Sequence, residues 1–391
     1  MKSSNKTPKA ATGGGSPSEM SPEAELIASN VDLLTEILQR LPAKPLIRFK
    51  SVSRHWLSLI SHSQFSTTHS SRNPSPSISG LYFYKRSRLE SVSLHGHKNL
   101  PSLSFLDGLE GNGPKPRILN SCNGLLLCET GFKYEPMYIV CNVTTQKYKL
   151  VPKPSGLSYR RALHRSSHLA FDPSKSPHYK VVVGSHYNRS KSEPWSFEID
   201  MYNSEGGNWK KILPSHSCWG RGVFWNGAIH WLSKTHANVL LRLDVDAEEV
   251  ITVPLPPSPS ILLANRNIKY FGECGGGLIL VQTSSTSAFA VLKLESDTSS
   301  RIVKYGVDRR TIARTFPEME EFFEFYVLCV VNGEKDGDYV LVLAIPGKVI
   351  SYNLKCNTLD VLLDLEPGKL IDDGVNGNGC AYPFLETLSP I

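Results

Sequence analysis

The sequence predicts a mainly β chain that begins with a small α-helical domain. From about residue 78 onward, apolar runs of four to eight residues alternate with clusters of Gly, Asn, Asp, Ser and Pro, the pattern of many short strands joined by turns. Residues 26–70 instead space Leu, Ile, Phe, Val and Trp at helical intervals. No stretch approaches the ~18 uncharged apolar residues expected of a membrane span.

The 391 residues are 40% apolar and 20% charged, which suits a globular chain able to bury a sizeable core. Residues 1–25 read as a disordered tail, since the first 19 residues hold Lys, Gly, Ser and Pro without the apolar stretch of a secretory signal. The expected setting is therefore soluble and intracellular, in the cytoplasm or nucleus. Eight cysteines, Cys122, Cys128, Cys141, Cys218, Cys274, Cys329, Cys356 and Cys380, form no C-x-x-C pair and read as free thiols, mostly buried. Zinc needs closely paired ligands, so no metal and no cofactor is expected. In that setting the sequons Asn142-Val143-Thr144 and Asn188-Arg189-Ser190 are coincidences.

The net charge of +7 raises the question of nucleic acid. Residues 26–70 hold Arg40, Lys44, Arg48, Lys50 and Arg54 against Asp32 and Glu36, a local balance of +3. The tail balances to zero and the remainder carries a diffuse +4. Neither nucleic acid nor a membrane is an expected partner.

The basic segment reads as three helices. Leu33, Leu34, Ile37, Leu38 and Leu41 share one helical face, with Asp32 placed to cap it and Pro42 to end it. Pro45 suits the first turn of a second helix carrying Leu46, Phe49 and Val52. Ser53 is placed to cap a third, with Trp56, Leu59 and Ile60 at helical steps, and Phe65 closes the pattern. Three helices in about 40 residues rarely bury enough surface to stand alone, so their apolar faces need another surface. That surface is either the chain's own larger domain or a partner.

The run "LLTEILQRLPAKPLIRFKSVSRHWLSLISHSQF" resembles the F-box. Its L-x-x-I-L-x-x-L-P block and the positions that follow are Leu34, Ile37, Leu38, Leu41, Pro42, Leu46, Arg48, Phe49, Val52 and Trp56. F-boxes commonly open with Leu-Pro, where this chain has Ser29 and Asn30. The resemblance implies docking onto a Skp-family adaptor, and through it a cullin-RING ligase, by Leu33, Leu34, Ile37, Leu38, Leu41, Pro42, Leu46, Val52 and Trp56.

The β region repeats itself. A Gly-led strand recurs at "CNGLLLC", "WNGAIHWL", "CGGGLILV" and "NGEKDGDYVLVLA". A strand running into an Asn or Asp turn and out again recurs with anchors Asn142, Asn203, Asp244, Leu294 and Asn353, at steps of 61, 41, 50 and 59 residues. The mean of about 53 lies near the ~50-residue spacing of four-stranded kelch-type propeller blades. The expectation is a β-propeller-like domain of about six blades, with the hairpin at 79–94 as the sixth; a pair of β-sandwiches is the alternative. One further helix is expected at 316–326, or else an acidic strand edge.

"ILNSCNGLLLC", "CNVTTQKYKLVP", "HLAFDPSKSPHYKVVV", "MYNSEGGNWKKI" and "GVFWNGAIHWL" also resemble the F-box-associated domain of the large plant F-box family, in that family's order. The organisation expected is a tail at 1–25, an F-box at 26–70, a linker at 71–77 and a C-terminal, kelch-like propeller at 78–391.

No catalytic residue is expected. The chain lacks G-x-S-x-G, H-E-x-x-H and G-x-x-x-x-G-K-[ST], and Gly275 to Gly277 lead into a strand rather than a helix. His164, His168, His178 and His186 form a loose group that reads as solvated loop histidines rather than ligands of a copper radical enzyme. Trp209 and Trp231 are expected in blade cores, and Trp195 as an exposed contact. The function implied is a substrate-recognition subunit of a Skp-cullin-F-box E3 ubiquitin ligase, with an unknown protein as target. The alternatives are a non-degradative scaffold and a ligand-binding propeller.

Overall fold

The computed structural model describes Ile27, residues 30–73 and residues 77–391 apart from 97–98, 110–113, 133–134, 155–161, 163, 188–195, 214–219, 234–238, 256–267, 284, 286, 295–300, 321–322, 336 and 372–380. Trp195, Trp219, Cys218, Cys380 and the tail at 1–25 lie outside the described residues. The chain divides into two compact units, Met1–Leu41 and Pro42–Ile391.

In the first unit, α1 is Val31–Leu38. Its cap is Asn30 and not Asp32 as the sequence suggested: Asn30 Oδ1 accepts the backbone N–H of Asp32 and of Leu33, each at 3.1 Å. Asn30 has the extended backbone that a cap requires, while Asp32 lies inside the first turn, where its carboxylate favours the positive end of the helix dipole.

The second unit opens with α2, Ala43–Phe49, and α3, Arg54–Ser61. Pro45 does sit in the first turn of α2, and Ser53 Oγ does cap α3 by accepting Trp56 N–H at 3.1 Å. A fourth helix, α4, Ser63–Arg72, follows. Its sequence "SQFSTTHSSR" offers no apolar periodicity beyond Phe65, so it was not legible as a helix. Phe65 and His69, one turn apart, are buried with rings stacked at 6.3 Å.

The β region is six antiparallel sheets. The first hairpin is β1, Gly80–Lys85, with β2, Arg88–Ser93. Four-stranded meanders follow in chain order. The first is β3 Arg117–Cys122, β4 Leu125–Phe132, β5 Glu135–Asn142 and β6 Lys147–Val151. The second is β7 His164–Phe171, β8 Tyr179–Tyr187, β9 Ser196–Asn203 and β10 Asn208–Ile212, and the third is β11 Val223–Trp225, β12 Ala228–Leu232, β13 Val239–Asp244 and β14 Glu249–Pro254. The fourth is β15 Ile268–Cys274, β16 Gly277–Thr283, β17 Ala288–Leu294 and β18 Arg301–Asp308, and the fifth is β19 Tyr326–Asn332, β20 Tyr339–Ile345, β21 Lys348–Asn353 and β22 Thr358–Asp364. The last strand, β23, Ala381–Phe384, pairs with β1, so the sixth sheet is built from both ends of the propeller.

The first strand of each meander packs beside its neighbours in the closed cycle β3, β7, β11, β15, β19, β23 and back to β3. This is a six-bladed propeller, with β23 as the innermost strand of the closing blade. The hairpin at 79–94 is the sixth blade, as expected, but its inner strand comes from the C-terminal end of the chain.

The core is divided into six apolar layers, each between two adjacent blades. Alternation along β8 shows how: Val181 and Val183 pack with Leu125 and Tyr138 of the blade before, while Val182 packs with Trp231 of the blade after. Both faces of an inner sheet are covered, so middle strands such as "LLLC" in β4 and "LILV" in β16 are continuously apolar.

Turn chemistry explains both sequence repeats. All five anchor residues are the last residue of the third strand of a blade: Asn142, Asn203, Asp244, Leu294 and Asn353. At four of them the side-chain oxygen accepts a backbone N–H two residues on, at 2.9 Å for Asn142, 3.0 Å for Asn203, 3.1 Å for Asp244 and 3.0 Å for Asn353. The residue four beyond each of these has positive φ: Gln146, Gly207, Glu248 and Asn357. The Gly-led element is the turn from first to second strand. Asn123-Gly124 and Asn226-Gly227 have positive φ at both positions, as a type I′ hairpin requires.

The remaining helix, α5, is Arg309–Thr315, capped by Asp308, whose Oδ1 accepts Arg310 N–H at 3.0 Å. Residues 317–319, in the stretch expected as a helix or a strand edge, form a turn. Pro317 pushes the residue before it out of the helical region, so it ends α5 rather than starting a helix.

Candidate functional site

The nine residues that the sequence marks for adaptor contact fall into three environments. Leu34, Leu38 and Leu46 are buried, Leu41 and Trp56 are half-buried, and Leu33, Ile37, Pro42 and Val52 are exposed. Leu33 is 48% exposed, Ile37 47% and Val52 60%. Val31 and Leu57 are also exposed, although the F-box motif does not single them out. Of the twelve exposed large apolar residues among those described, six lie between Ile27 and Leu57, which marks that short segment as the chain's main exposed apolar region. Trp56 packs edge-to-face on Phe49 at 5.6 Å, which ties α3 to α2.

The propeller has two unlike ends. At one, the turns are short: two residues in three of the first-to-second strand turns and four in the Asx turns. At the other, each blade's last strand ends and the next blade's first strand begins; the intervening stretches 152–163, 213–222, 255–267 and 309–325 are longer in sequence, and much of them lies outside the described residues. Long connections on a rigid scaffold are where binding specificity is usually carried.

At that second end Arg221, two residues before β11, donates from Nη2 to the backbone carbonyl of Ala381 at 2.9 Å. Ala381 opens β23, three steps from β11 around the ring in either direction. The guanidinium therefore spans the propeller axis. Beside it, His168 on β7 accepts Trp231 Nε1–H at its Nε2, at 3.1 Å. His168 Nδ1 must then carry the proton, and it has no hydrogen-bond partner. Burial pulls the His168 pKa down to about 3, with the Arg221 charge adding to the effect. His230 is pulled down to about 4, also chiefly by burial.

The histidine group is thus not a set of solvated loop residues. His164, His168 and His186 are strand residues, and the last two are buried; only His178 sits in an exposed turn. Among the described residues no three His, Cys, Asp or Glu side chains come together to hold a metal ion. Six of the cysteines are free thiols, five of them buried and Cys356 exposed. Trp231 is fully buried, as expected of a blade core, while Trp209 is half-buried and donates its indole N–H to Pro152 O at 2.6 Å.

Sequence reading missed a polar cluster on the second blade. Glu198 accepts from Tyr187 Oη at Oε1 and from Lys211 Nζ at Oε2, each at 2.5 Å. Burial pushes the Asp200 carboxyl up, opposed by Lys211. These groups come from three strands and carry no local motif.

Residues 30–67 match the F-box domain family, and residues 54–361 match the F-box associated beta propeller domain family. F-box protein At5g07610 of Arabidopsis thaliana is 32% identical over 94% of this chain and 93% of its own length. F-box protein At5g49610 of the same plant is 30% identical over 65% of this chain and 71% of its own length. With exposed apolar helices ahead of a six-bladed ring and both family matches in one sequence, the chain belongs to the F-box proteins that carry an F-box associated β-propeller domain.

Proposed function

We propose that this protein is the substrate-recognition subunit of a Skp-cullin-F-box E3 ubiquitin ligase, acting in the cytoplasm or nucleus. The observation that carries the proposal is the concentration of exposed apolar side chains between Ile27 and Leu57 in a chain with an F-box match. Residues 26–70 dock a Skp-family adaptor, residues 1–25 are a tail, 71–77 a linker, and the propeller at 78–391 presents the target protein. Leu33, Ile37, Pro42 and Val52 touch the adaptor directly. Leu34, Leu38, Leu41, Leu46 and Trp56, buried or half-buried, complete the set of adaptor-binding positions. The subunit catalyses nothing itself, because ubiquitin transfer belongs to other members of the complex.

Leu33→Ala with Ile37→Ala tests this. Truncation of central interface residues typically costs about 1 to 2 kcal/mol or more each, so adaptor capture should fall by at least about tenfold. Propeller melting should stay unchanged, because both side chains are exposed. Adaptor capture at wild-type level would overturn the docking assignment. Prey that accumulate on proteasome inhibition support degradation, and prey that bind with unchanged abundance favour a non-degradative scaffold.

A further inference from the structure

We infer that the end of the propeller at which the inner strands begin is a seat for an acidic peptide segment of the target, gripped by Arg221 on the axis. The inference rests on the reading of the propeller as the target-presenting domain and names what it recognises.

Along the sequence the basic residues of the β region look dispersed, but the fold gathers a set of them. Within two residues of the first residue of an inner strand lie Lys115 and Arg117 at β3, His164 and Arg165 at β7, Arg221 at β11 and Lys269 at β15. The matching positions at β19 supply Glu324, and those described at β23 supply no charge. One further carboxylate, Glu129, stands across the strand pair from Arg117 and interacts with both Arg117 and Arg165. Among the described residues these positions carry five Lys and Arg against Glu324 and Glu129, with the Arg117 guanidinium over the Tyr84 ring and the Lys269 ammonium over that of Phe325, in a chain whose net charge is only +7. Lys115, Arg117, Arg221 and Lys269 are exposed.

Arg221 is the cation best placed to hold such a peptide. A guanidinium has five N–H donors in a rigid fork. The bond to Ala381 O is the only hydrogen bond Arg221 makes among the described residues, and no described carboxylate lies within ion-pair distance of it. An exposed cation held on the axis by a backbone carbonyl, with most of its donors unspent, is preorganised for a bidentate acceptor. Carboxylate side chains of a peptide fit that fork. The positive charge lies on four adjacent inner strands at one end of the ring, a short arc, so it matches a short peptide better than a nucleic-acid backbone, whose charge runs on in a line.

The test uses the full chain and a fluorescein-labelled peptide of alternating glutamate and serine, followed by anisotropy. Its glutamine-serine counterpart and a single-stranded oligonucleotide serve as comparisons. The acidic peptide should bind, weakening as salt is raised, and the glutamine peptide should not. Arg221→Gln removes the charge and the fork of donors, and should weaken acidic-peptide binding by about tenfold or more. Lys175→Gln, an exposed lysine in the β7–β8 turn at the opposite end, should bind as wild type does. An acidic peptide that fails to bind, that binds equally to a normally melting Arg221→Gln chain, or that is out-competed by the oligonucleotide would overturn the assignment. Adaptor capture by the same Arg221→Gln chain should be intact. Target prey retained by that chain would overturn this end of the propeller as the seat while leaving the receptor reading in place.

Discussion

The side-chain amide of Asn142 donates to the backbone carbonyl of Ser389 at 2.8 Å, and to that of Thr387 at 3.1 Å, across more than half the chain. The same side chain accepts the N–H groups of Thr144 and Thr145 through Oδ1, so one fully buried residue closes a blade turn and holds down the C-terminal segment. The segment is fastened further by Thr144 Oγ1, which accepts Thr387 N–H at 3.2 Å, and by Ser66 of α4, which donates to Leu388 O at 3.2 Å. Because this segment continues directly from β23, it secures the strand that closes the ring. In Asn142-Val143-Thr144 the sequon match is incidental to a structural role: the asparagine nitrogen is spent inside the protein.

Asn142→Ala should therefore destabilise the propeller well beyond the loss of one turn. Two buried carbonyls lose their donor and two N–H groups their acceptor, together worth about 2 to 4 kcal/mol. A thermal melt should show a drop of several degrees, and limited proteolysis should release the C-terminal residues first. A variant that melts with wild type would show that the segment contributes little to ring closure.

Gly124 and Gly227 form a matched pair. Each is the second residue of an Asn-Gly type I′ turn, with φ of 88° and 74° respectively. A Cβ added at Gly227 meets nothing within 4 Å, whereas one added at Gly124 would come within 2.2 Å of Thr387 Cγ2. Gly227→Ala should cost about 1 to 2 kcal/mol from the left-handed backbone alone. Gly124→Ala should cost that plus about 1 to 3 kcal/mol of overpacking. Equal melting temperatures for the two variants would contradict the tight seating of the C-terminal segment.

Acid should weaken the fold through His168. Its folded pKa of about 3 lies below the ordinary value of 6.5, so between those values the unfolded chain binds more protons and stability falls with falling pH. The stabilising contribution is complete above about pH 6.5 and amounts to about 2 kcal/mol lost by pH 5. His230 acts in the same direction, with a folded value of about 4. Asp200 and Glu273, whose carboxyls burial pushes up, act oppositely, so the comparison must be with a variant. His168→Gln keeps an acceptor for the Trp231 indole and does not titrate. Denaturant melts of both proteins at pH 7 and pH 5 should show a smaller loss in the variant, and parallel losses would rule His168 out.

Local chemistry made much of this protein legible in its sequence. Asn142, Asn203, Asp244 and Asn353 end strands because an Asx side chain can cap its own turn, and Asn-Gly pairs mark type I′ hairpins because both positions need positive φ. Leu34, Ile37 and Leu38 announced α1 by spacing alone, although the helix ends at Leu38 and leaves Leu41, read as part of the same face, beyond it. Where two local signals competed, the reading slipped: Asn30 caps α1 although Asp32 is also a good capping type, and Pro317 ends a helix rather than starting one. Tertiary structure alone decided what depends on residues far apart in the chain. β23 completes the blade begun by β1, Asn142 finds Ser389, and Arg221 reaches Ala381 across the axis. A ring can close only when its ends meet, and no local preference encodes that meeting; it follows from burying six apolar layers at once.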